Sequence, residues 1–334
     1  MKNLIYYPGF EVRDPAWLKF ALLYIDELNP IIPESGDRHL SDLHLKMIGE
    51  TDLLASHRPT DKEGWLATLD AMGEIEKVMK RPESYSPLFG SGDFLSAWKS
   101  PDKHDYTLFL EKYTDDWKRF CIHNHFGTPT SEGIKVHEDL AFVYMTLLAQ
   151  TIADSRGLSP ISDHPKLDEF SIFTRTEGSA ESEKIEVAQA VIELQLPANL
   201  NEIDLSDVIS VRNRQGFKTR LEAFHQEFDK YFDSIESGAR PGKFVASFDS
   251  IWKDFADDIL QTGLGTISFG LGVWITVNSV QAGPANYLKE VVAGTLLAVG
   301  GAVKIQKTWK NSQTKRYTRK YLTDLTKIKP VTIS

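Results

Sequence analysis

The sequence predicts an α+β fold that is mainly α, with an N-terminal mixed α/β part and a C-terminal antiparallel helical hairpin followed by a glycine-rich apolar helix pair. Three observations support this prediction. Short β-prone runs alternate with helical apolar spacing over the first 200 residues. A heptad run of aromatic residues then begins at residue 217. An uncharged stretch with several glycines covers 259–288. We therefore expect a mixed α/β domain over 1–200 and an all-α domain over 201–334.

The composition is that of a globular protein and not of a disordered chain. Of the 334 residues, 41% are hydrophobic and 25% are charged, which is enough apolar material for an ordinary core. The one cysteine, Cys121, excludes an internal disulfide and is typical of a reducing compartment. The N-terminal apolar run is too short for a signal peptide. We therefore expect a cytoplasmic protein, with membrane association as an additional hypothesis.

Charge is distributed unevenly along the chain. The net charge is −9, yet the residues from 304 onward carry nine Lys or Arg and one acidic residue, Asp324. Such a basic tail is typical of a segment that meets nucleic acid, lipid headgroups or the acidic body itself. A solvated helix face is the alternative interpretation. The predicted anion-binding residues are Lys304, Lys307, Lys310, Lys315, Arg316, Arg319 and Lys320.

The first third of the chain predicts alternating strands and helices. The run 4–7 favours a strand that ends at Pro8. Asp14 and Pro15 are a suitable cap and first-turn residue for a helix. Residues 39–55 have helical apolar spacing, whereas residues 81–107, with three prolines, favour irregular structure with short helical pieces.

Two further elements are predicted before residue 200. Residues 138–156 are apolar on nearly all sides, which is typical of a buried central helix. Gly157 is in the right place to end that helix. The run 185–196 indicates a strand that ends at Pro197.

Aromatic residues at heptad spacing predict the helical hairpin. Six apolar residues are spaced 4, 3, 4, 3, 4 from Phe217 to Ile235, and the same spacing resumes from Phe244 to Phe255. Gly238 and Pro241 favour a turn between the two runs. We therefore expect two antiparallel helices with their apolar sides in contact.

The uncharged stretch predicts a pair of apolar helices. The run 259–280 would be long enough to span a bilayer as a helix, whereas the second run, 291–303, is too short. The pair could be buried in a soluble core, meet a membrane, or form an oligomer interface. The predicted membrane or partner contacts are Leu264, Ile267, Phe269, Leu271, Trp274, Leu296 and Leu297.

Evidence for catalysis is weak in this sequence. His123, His125 and His137 are the right residue types for a divalent metal, but the two-histidine helix motif fails at Ala141. Neither a phosphate-binding glycine loop nor a dinucleotide fingerprint is present. We therefore leave the catalytic residues unassigned, predict neither a metal ligand nor a cofactor, and keep a metal-dependent hydrolase as the third hypothesis.

Three segments of the chain carry a resemblance. They are 4–33, with Leu4-Ile5-Tyr6-Tyr7-Pro8 and Ile31-Ile32-Pro33; 144–163, with Arg156-Gly157-Leu158-Ser159-Pro160; and 196–212, with Leu205-Ser206-Asp207 and Arg212. Together they resemble an uncharacterised family of bacterial proteins that are often encoded on mobile or defence-associated islands. The resemblance implies a bacterial cytosolic protein with a role in phage defence. It supplies neither an activity nor catalytic residues.

Three functional hypotheses follow from these features. The leading one is a non-enzymatic interaction protein, associated with phage defence, that acts through its C-terminal helices on a protein partner, a second copy or a membrane. The first alternative is nucleic-acid binding through the basic tail. The second is the metal-dependent hydrolase built on the histidines.

Overall fold

A computed structural model describes residues 4–90, 93–164, 186–197, 203–236, 266–277, 303–307 and 320–330. The first elements are β1 (Leu4–Tyr6), α1 (Pro15–Tyr24), β2 (Leu28–Pro30), α2 (Asp42–Glu50), α3 (Asp61–Lys80), α4 (Pro82–Phe89), α5 (Phe94–Trp98), β3 (Tyr106–Phe109), α6 (Asp115–His123), β4 (Gly127–Pro129) and β5 (Gly133–Val136). They are followed by α7 (Glu138–Arg156), β6 (Ser159–Ile161), β7 (Glu186–Pro197), α8 (Leu205–Arg212), α9 (Gln215–Glu236), β8 (Thr266–Val277), β9 (Val303–Lys307) and β10 (Lys320–Pro330). The predicted class, α+β and mainly α, is confirmed.

A three-stranded parallel sheet forms the centre of the N-terminal part. The strand order is β2-β1-β6, so β1 has a parallel neighbour on each side. Successive residues of a strand face opposite sides of the sheet. Accordingly, Ile5 belongs to the core that α3 and α7 share, whereas the Tyr6 ring lies 5.8 Å from Trp17 of α1. The sheet is therefore covered by helices on both faces.

The long helix α7 is the central element of the core. It covers the predicted range, Glu138–Arg156, and most of its residues are buried, as an almost continuous apolar sequence requires. Gly157 follows it with φ 67°, the left-handed conformation that glycine adopts without a steric penalty. The Tyr144 ring packs 4.6 Å from Trp117 of α6, which ties α6 to the same core.

Helix α3 packs beside α7 and begins with a reciprocal cap. The Thr60 hydroxyl accepts a hydrogen bond from the Glu63 backbone N–H at 3.3 Å, and the Glu63 carboxylate accepts one from the Thr60 N–H at 2.8 Å. The same carboxylate lies 3.0 Å from His57 Nε2 in a buried pair. These contacts fix the direction in which α3 leaves the preceding loop.

Replacing Thr60 with alanine is expected to lower the free energy of unfolding by about 1 kcal/mol, because the first turn of α3 loses its hydroxyl acceptor. Urea denaturation followed by circular dichroism measures this change. Thr60→Ser keeps the hydroxyl and should stay close to the parent protein. Equal losses in both variants would contradict a capping role.

Helices α8 and α9 pack against α1. Phe217, Leu221 and Phe224 are buried, and the Phe224 ring lies 5.7 Å from Tyr24 of α1. The first run of the predicted heptad pattern is therefore helical, and its N-terminal half has an apolar neighbour. These contacts cross residue 200, where the sequence predicted a domain boundary. The second run, 244–255, lies outside the described residues.

The predicted apolar helix over 259–280 is wrong where the structure describes it. Residues Thr266–Val277 form the strand β8, which pairs antiparallel with β7 on one side and β10 on the other. The strand order is β10-β8-β7-β9, so strands also occupy parts of the range that was predicted to be all α. The physical reason is visible in the sequence, because large apolar residues alternate with small or polar ones from Ile267 to Val277, with Trp274 the exception. The backbone N–H and C=O groups of an inner strand bond to the strands on both sides, so the strand does not need charged residues. The second predicted apolar helix, 291–303, lies outside the described residues except for Val303, which begins β9.

Candidate interaction surface

Helix α3 carries two apolar stripes, and the N-terminal half of its inner stripe consists of small residues. Gly64, Ala67 and Ala71 face the core, where all three are buried. Their size leaves room for close approach, so that the Tyr144 hydroxyl reaches the Gly64 carbonyl at 3.4 Å and Thr68 Oγ1 at 3.3 Å. The C-terminal half of the inner stripe carries the larger residues Ile75 and Val78, which are also buried.

The outer stripe of α3 carries the larger side chains. Trp65 is 48% exposed and Leu69 is 47% exposed, although both are large and apolar. Met72 and Met79 continue the stripe and are half-buried at the edge of the core. We call Trp65, Leu69, Met72 and Met79 the outer stripe. Their separations of 4, 3 and 7 residues place all four on one side of a helix.

Both ends of α3 carry exposed charged residues. Asp61 and Lys62 lie in the first turn, whereas Lys77 and Lys80 lie in the last turn. Lys77 Nζ is 3.0 Å from Glu74, and Lys80 Nζ is 3.6 Å from Glu76. The ion pair between Lys80 and Glu76 is exposed and contributes little to stability. Both residues therefore remain available for contacts with another molecule.

The sequence reasoning missed this surface, although the signal was present. The 4, 3, 7 spacing from Trp65 to Met79 is the same kind of pattern that identified the heptad run at Phe217. Helix α2 also exposes apolar residues, with Leu43 at 47%, Leu45 at 51% and Ile48 at 41%. It has only nine residues, of which His44 and Met47 are buried. Its exposed apolar side chains lie on either side of these two residues and do not form a continuous stripe.

The predicted membrane or partner contacts fall on a strand in place of a helix. Ile267, Phe269 and Leu271 lie in β8, opposite Leu196, Leu194 and Ile192 of β7 respectively. Trp274, also in β8, lies opposite Gln189. These four residues therefore lie in a strand and not in the predicted helix. Their role as membrane or partner contacts stays a prediction. Leu264, Leu296 and Leu297 lie outside the described residues.

The predicted anion-binding residues that the structure describes lie in two strands, and their role stays a prediction. Lys304 and Lys307 lie in β9 at one edge of the four-stranded sheet, and Lys320 lies in β10 at the opposite edge. Three strand spacings separate these edges, a distance of about 14 Å. Lys310, Lys315, Arg316 and Arg319 lie outside the described residues.

The three histidines near residue 130 have separate structural positions. His123 ends α6, His125 has φ 61°, and His137 caps α7 by accepting the Asp139 N–H at Nδ1. Neither His123 nor His125 lies in a strand. Within the described ranges, no three His, Cys, Asp or Glu side chains are arranged to hold a metal ion.

Cys121 lies inside the core at α6, away from solvent. Burial raises the pKa of its thiol, which disfavours the nucleophilic thiolate. Its side chain therefore acts as a small apolar group in the packing of α6.

Among the helices that the structure describes, none combines the length and apolar character that crossing a bilayer requires. Comparisons of the chain with protein-family models, with curated proteins and with solved structures found no match.

Proposed function

We propose that this chain is a non-enzymatic interaction protein, that its docking surface is the outer stripe of α3, and that it binds a second copy of itself there. The observation that carries the proposal is the exposure of Trp65 and Leu69 on a helix whose inner side is already packed. Exposed apolar residues at helical anchor spacing are typical of helix-mediated association. Tryptophan is enriched among the residues that dominate interface energies.

One ion pair fits an antiparallel arrangement of the two copies. In that arrangement Asp61, in the first turn of one α3, lies beside Lys80, in the last turn of the other. When Leu69 of one copy packs beside Met72 of the other, Asp61 and Lys80 occupy matching positions along the pair. The two helix dipoles also point in opposite directions, which is the favourable arrangement for neighbouring helices.

The expected affinity follows from the size of the surface. One helix stripe buries less than the roughly 800 Å² per partner of a standard stable interface. We therefore expect reversible association in the micromolar range and a monomer at high dilution.

Leu69→Glu is expected to weaken self-association by at least about tenfold, because a carboxylate would be buried in the middle of the apolar contact. Sedimentation equilibrium over a range of protein concentrations measures the dissociation constant. Ile122→Glu on α6 is the matched control, since Ile122 is 43% exposed and lies off the stripe.

Two results would overturn the proposal. The first is a parent protein that stays monomeric at every accessible concentration. The second is a dimer that Leu69→Glu and Ile122→Glu weaken equally. Thermal unfolding of both variants shows whether either substitution acts by unfolding the chain.

The other hypotheses stay predictions. They include contact of the C-terminal region with a protein or membrane, nucleic-acid binding by the basic tail, and the hydrolase built on the histidines. The cytoplasmic location and the role in phage defence implied by the resemblance are also predictions.

A further inference from the structure

The methionines of the described part of the chain divide into two pairs by their burial. Of the five methionines in the sequence, four lie among the described residues. Met47 is 1% exposed and Met145 is fully buried. Met72 and Met79 of α3 are half-buried at the edge of the core and belong to the outer stripe. Among the residues that the structure describes, the methionines open to solvent therefore lie on the surface proposed for self-association.

The core protects the other sulfur atoms that the structure describes. Met145 Sδ lies 3.8 Å from Nζ of the buried Lys112. Cys121 also lies inside the core, and burial raises the pKa of its thiol, which disfavours the thiolate that oxidants attack. Within the described ranges, an oxidant in solution therefore meets the two thioethers of α3 before any other sulfur.

Oxidation changes the chemical character of a methionine side chain. In the reaction with hydrogen peroxide, the thioether sulfur attacks one peroxide oxygen, the O–O bond breaks, an S–O bond forms and water leaves. The sulfur is oxidised by two electrons and the peroxide is reduced. The product is methionine sulfoxide, which is polar where the parent side chain was apolar. Burying its oxygen without a hydrogen-bond donor is unfavourable, so the product opposes an apolar contact.

Met72 and Met79 differ in their place along the proposed pair of helices. In the antiparallel arrangement, Met72 packs beside Leu69 of the other copy, near the middle of the contact. Met79 then lies opposite Lys62, which is exposed and close to the end of the pair. A sulfoxide at residue 72 would lose its water on association, whereas a sulfoxide at residue 79 would keep it. Residues at the centre of an interface also contribute most to its stability.

We propose that Met72 is a modification site at which oxidation by a peroxide separates the two copies. This inference rests on the proposed function, because it requires the outer stripe to be the surface of self-association. Association in the micromolar range leaves a population of monomers in which the Met72 sulfur is open to the oxidant. The second copy shields the same sulfur, so self-association and oxidation oppose each other.

Peptide mapping by mass spectrometry tests the site of modification. The full chain is treated with hydrogen peroxide, and the sulfoxide fraction at each methionine is followed over time. Met72 and Met79 are expected to react at least about tenfold faster than Met47 and Met145, because susceptibility follows exposure. Oxidation of Met72 should also slow when the protein concentration is raised above the dissociation constant. Equal rates at all four methionines would contradict the assignment of the site.

Sedimentation equilibrium of treated and untreated protein tests the consequence for self-association. Oxidation is expected to weaken association of the parent protein by at least about tenfold, because each copy buries a new polar group. Met72→Leu removes the reactive sulfur and keeps an apolar side chain of similar volume. Peroxide should change the dissociation constant of that variant by less than about threefold. Met79→Leu is the matched control and should stay as sensitive to peroxide as the parent. Each variant is compared with its own untreated sample, so a change in its starting affinity does not enter the comparison.

The inference fails if the protein oxidised at Met72 associates as tightly as the untreated parent, or if Met72→Leu and Met79→Leu are equally sensitive to peroxide. In both cases the untreated parent still associates, so the proposed function stands. A parent that is monomeric before treatment contradicts the proposed function and this inference together. Circular dichroism before and after treatment shows whether each protein stays folded.

Discussion

Replacing Arg212 with methionine is expected to lower the free energy of unfolding by about 3–5 kcal/mol. Arg212 is 1% exposed and connects α8 to the C-terminal end of α1. Its guanidinium donates to the carbonyls of Leu22 and Ile25 at 2.8 Å and of Asp26 at 2.6 Å, and Nε donates to Asp52 at 2.8 Å. Methionine fills much of the same volume but leaves three carbonyls without this donor. Urea denaturation followed by tryptophan fluorescence measures the loss.

The control for this prediction is the second cation at Asp52. Lys218 Nζ lies 2.7 Å from Asp52, but both side chains are at least one-third exposed. Lys218→Met should therefore cost less than about 1 kcal/mol. An Arg212→Met protein as stable as the Lys218→Met protein would show that the guanidinium is not what joins α8 to α1.

Lys112→Met is expected to raise the free energy of unfolding by about 2–4 kcal/mol at pH 7. Lys112 is 1% exposed, and its Nζ lies 3.8 Å from Met145 Sδ and 4.7 Å from the Phe10 ring centroid. Burial lowers the pKa of the Lys112 amine to about 7, against a weak opposing effect of Glu111. The change removes the cost of burying an ammonium, offset in part by loss of the contact with Phe10.

The lowered pKa of Lys112 also predicts how the difference in stability between the parent and Lys112→Met changes with pH. The amine has a lower pKa in the folded chain than in the unfolded chain, so the unfolded chain binds more protons between about pH 7 and pH 10.5. The parent protein should therefore gain stability from this group as pH rises through that window. The advantage of Lys112→Met should be greatest at or below pH 7 and disappear near pH 10.5.

Urea denaturation across this pH range tests the Lys112 prediction. Lys62→Met, at an exposed position in the first turn of α3, is the control and should show no such trend. If the difference between parent and Lys112→Met is constant with pH, the buried amine is not the cause.

The sequence predicted those elements whose signals are local. Asp14 caps α1 and Pro15 begins it, as their residue types favour. Gly157 ends α7, and the run 185–196 is the strand β7. Each prediction depended on a cap, a breaker or a period within about twenty residues, and none required knowledge of the neighbouring elements.

The strand β8 shows where such reasoning failed. The length and composition of this uncharged run with five glycines predict a helix, whereas the alternation within it favours a strand. Its position between two other strands depends on β7 and β10, which are distant in the sequence.

The candidate surfaces were hidden for a different reason. The spacing of Trp65, Leu69, Met72 and Met79 is visible in the sequence, but the burial of the opposite side of α3 against α7 is not. The segment after β1 is held by Asp163, which lies 150 residues from Arg13 along the chain. The sequence predicted β1 but not the partner that holds the segment after it.

The position of β1 between β2 and β6 also has a consequence for synthesis of the chain. Strand β2 follows β1 closely, but β6 ends about 155 residues after β1. At ribosomal rates of about 5–20 residues per second, one side of β1 stays without its partner for roughly 8–30 s. During that interval the nascent chain presents an apolar strand edge, which is the kind of surface that chaperones recognise.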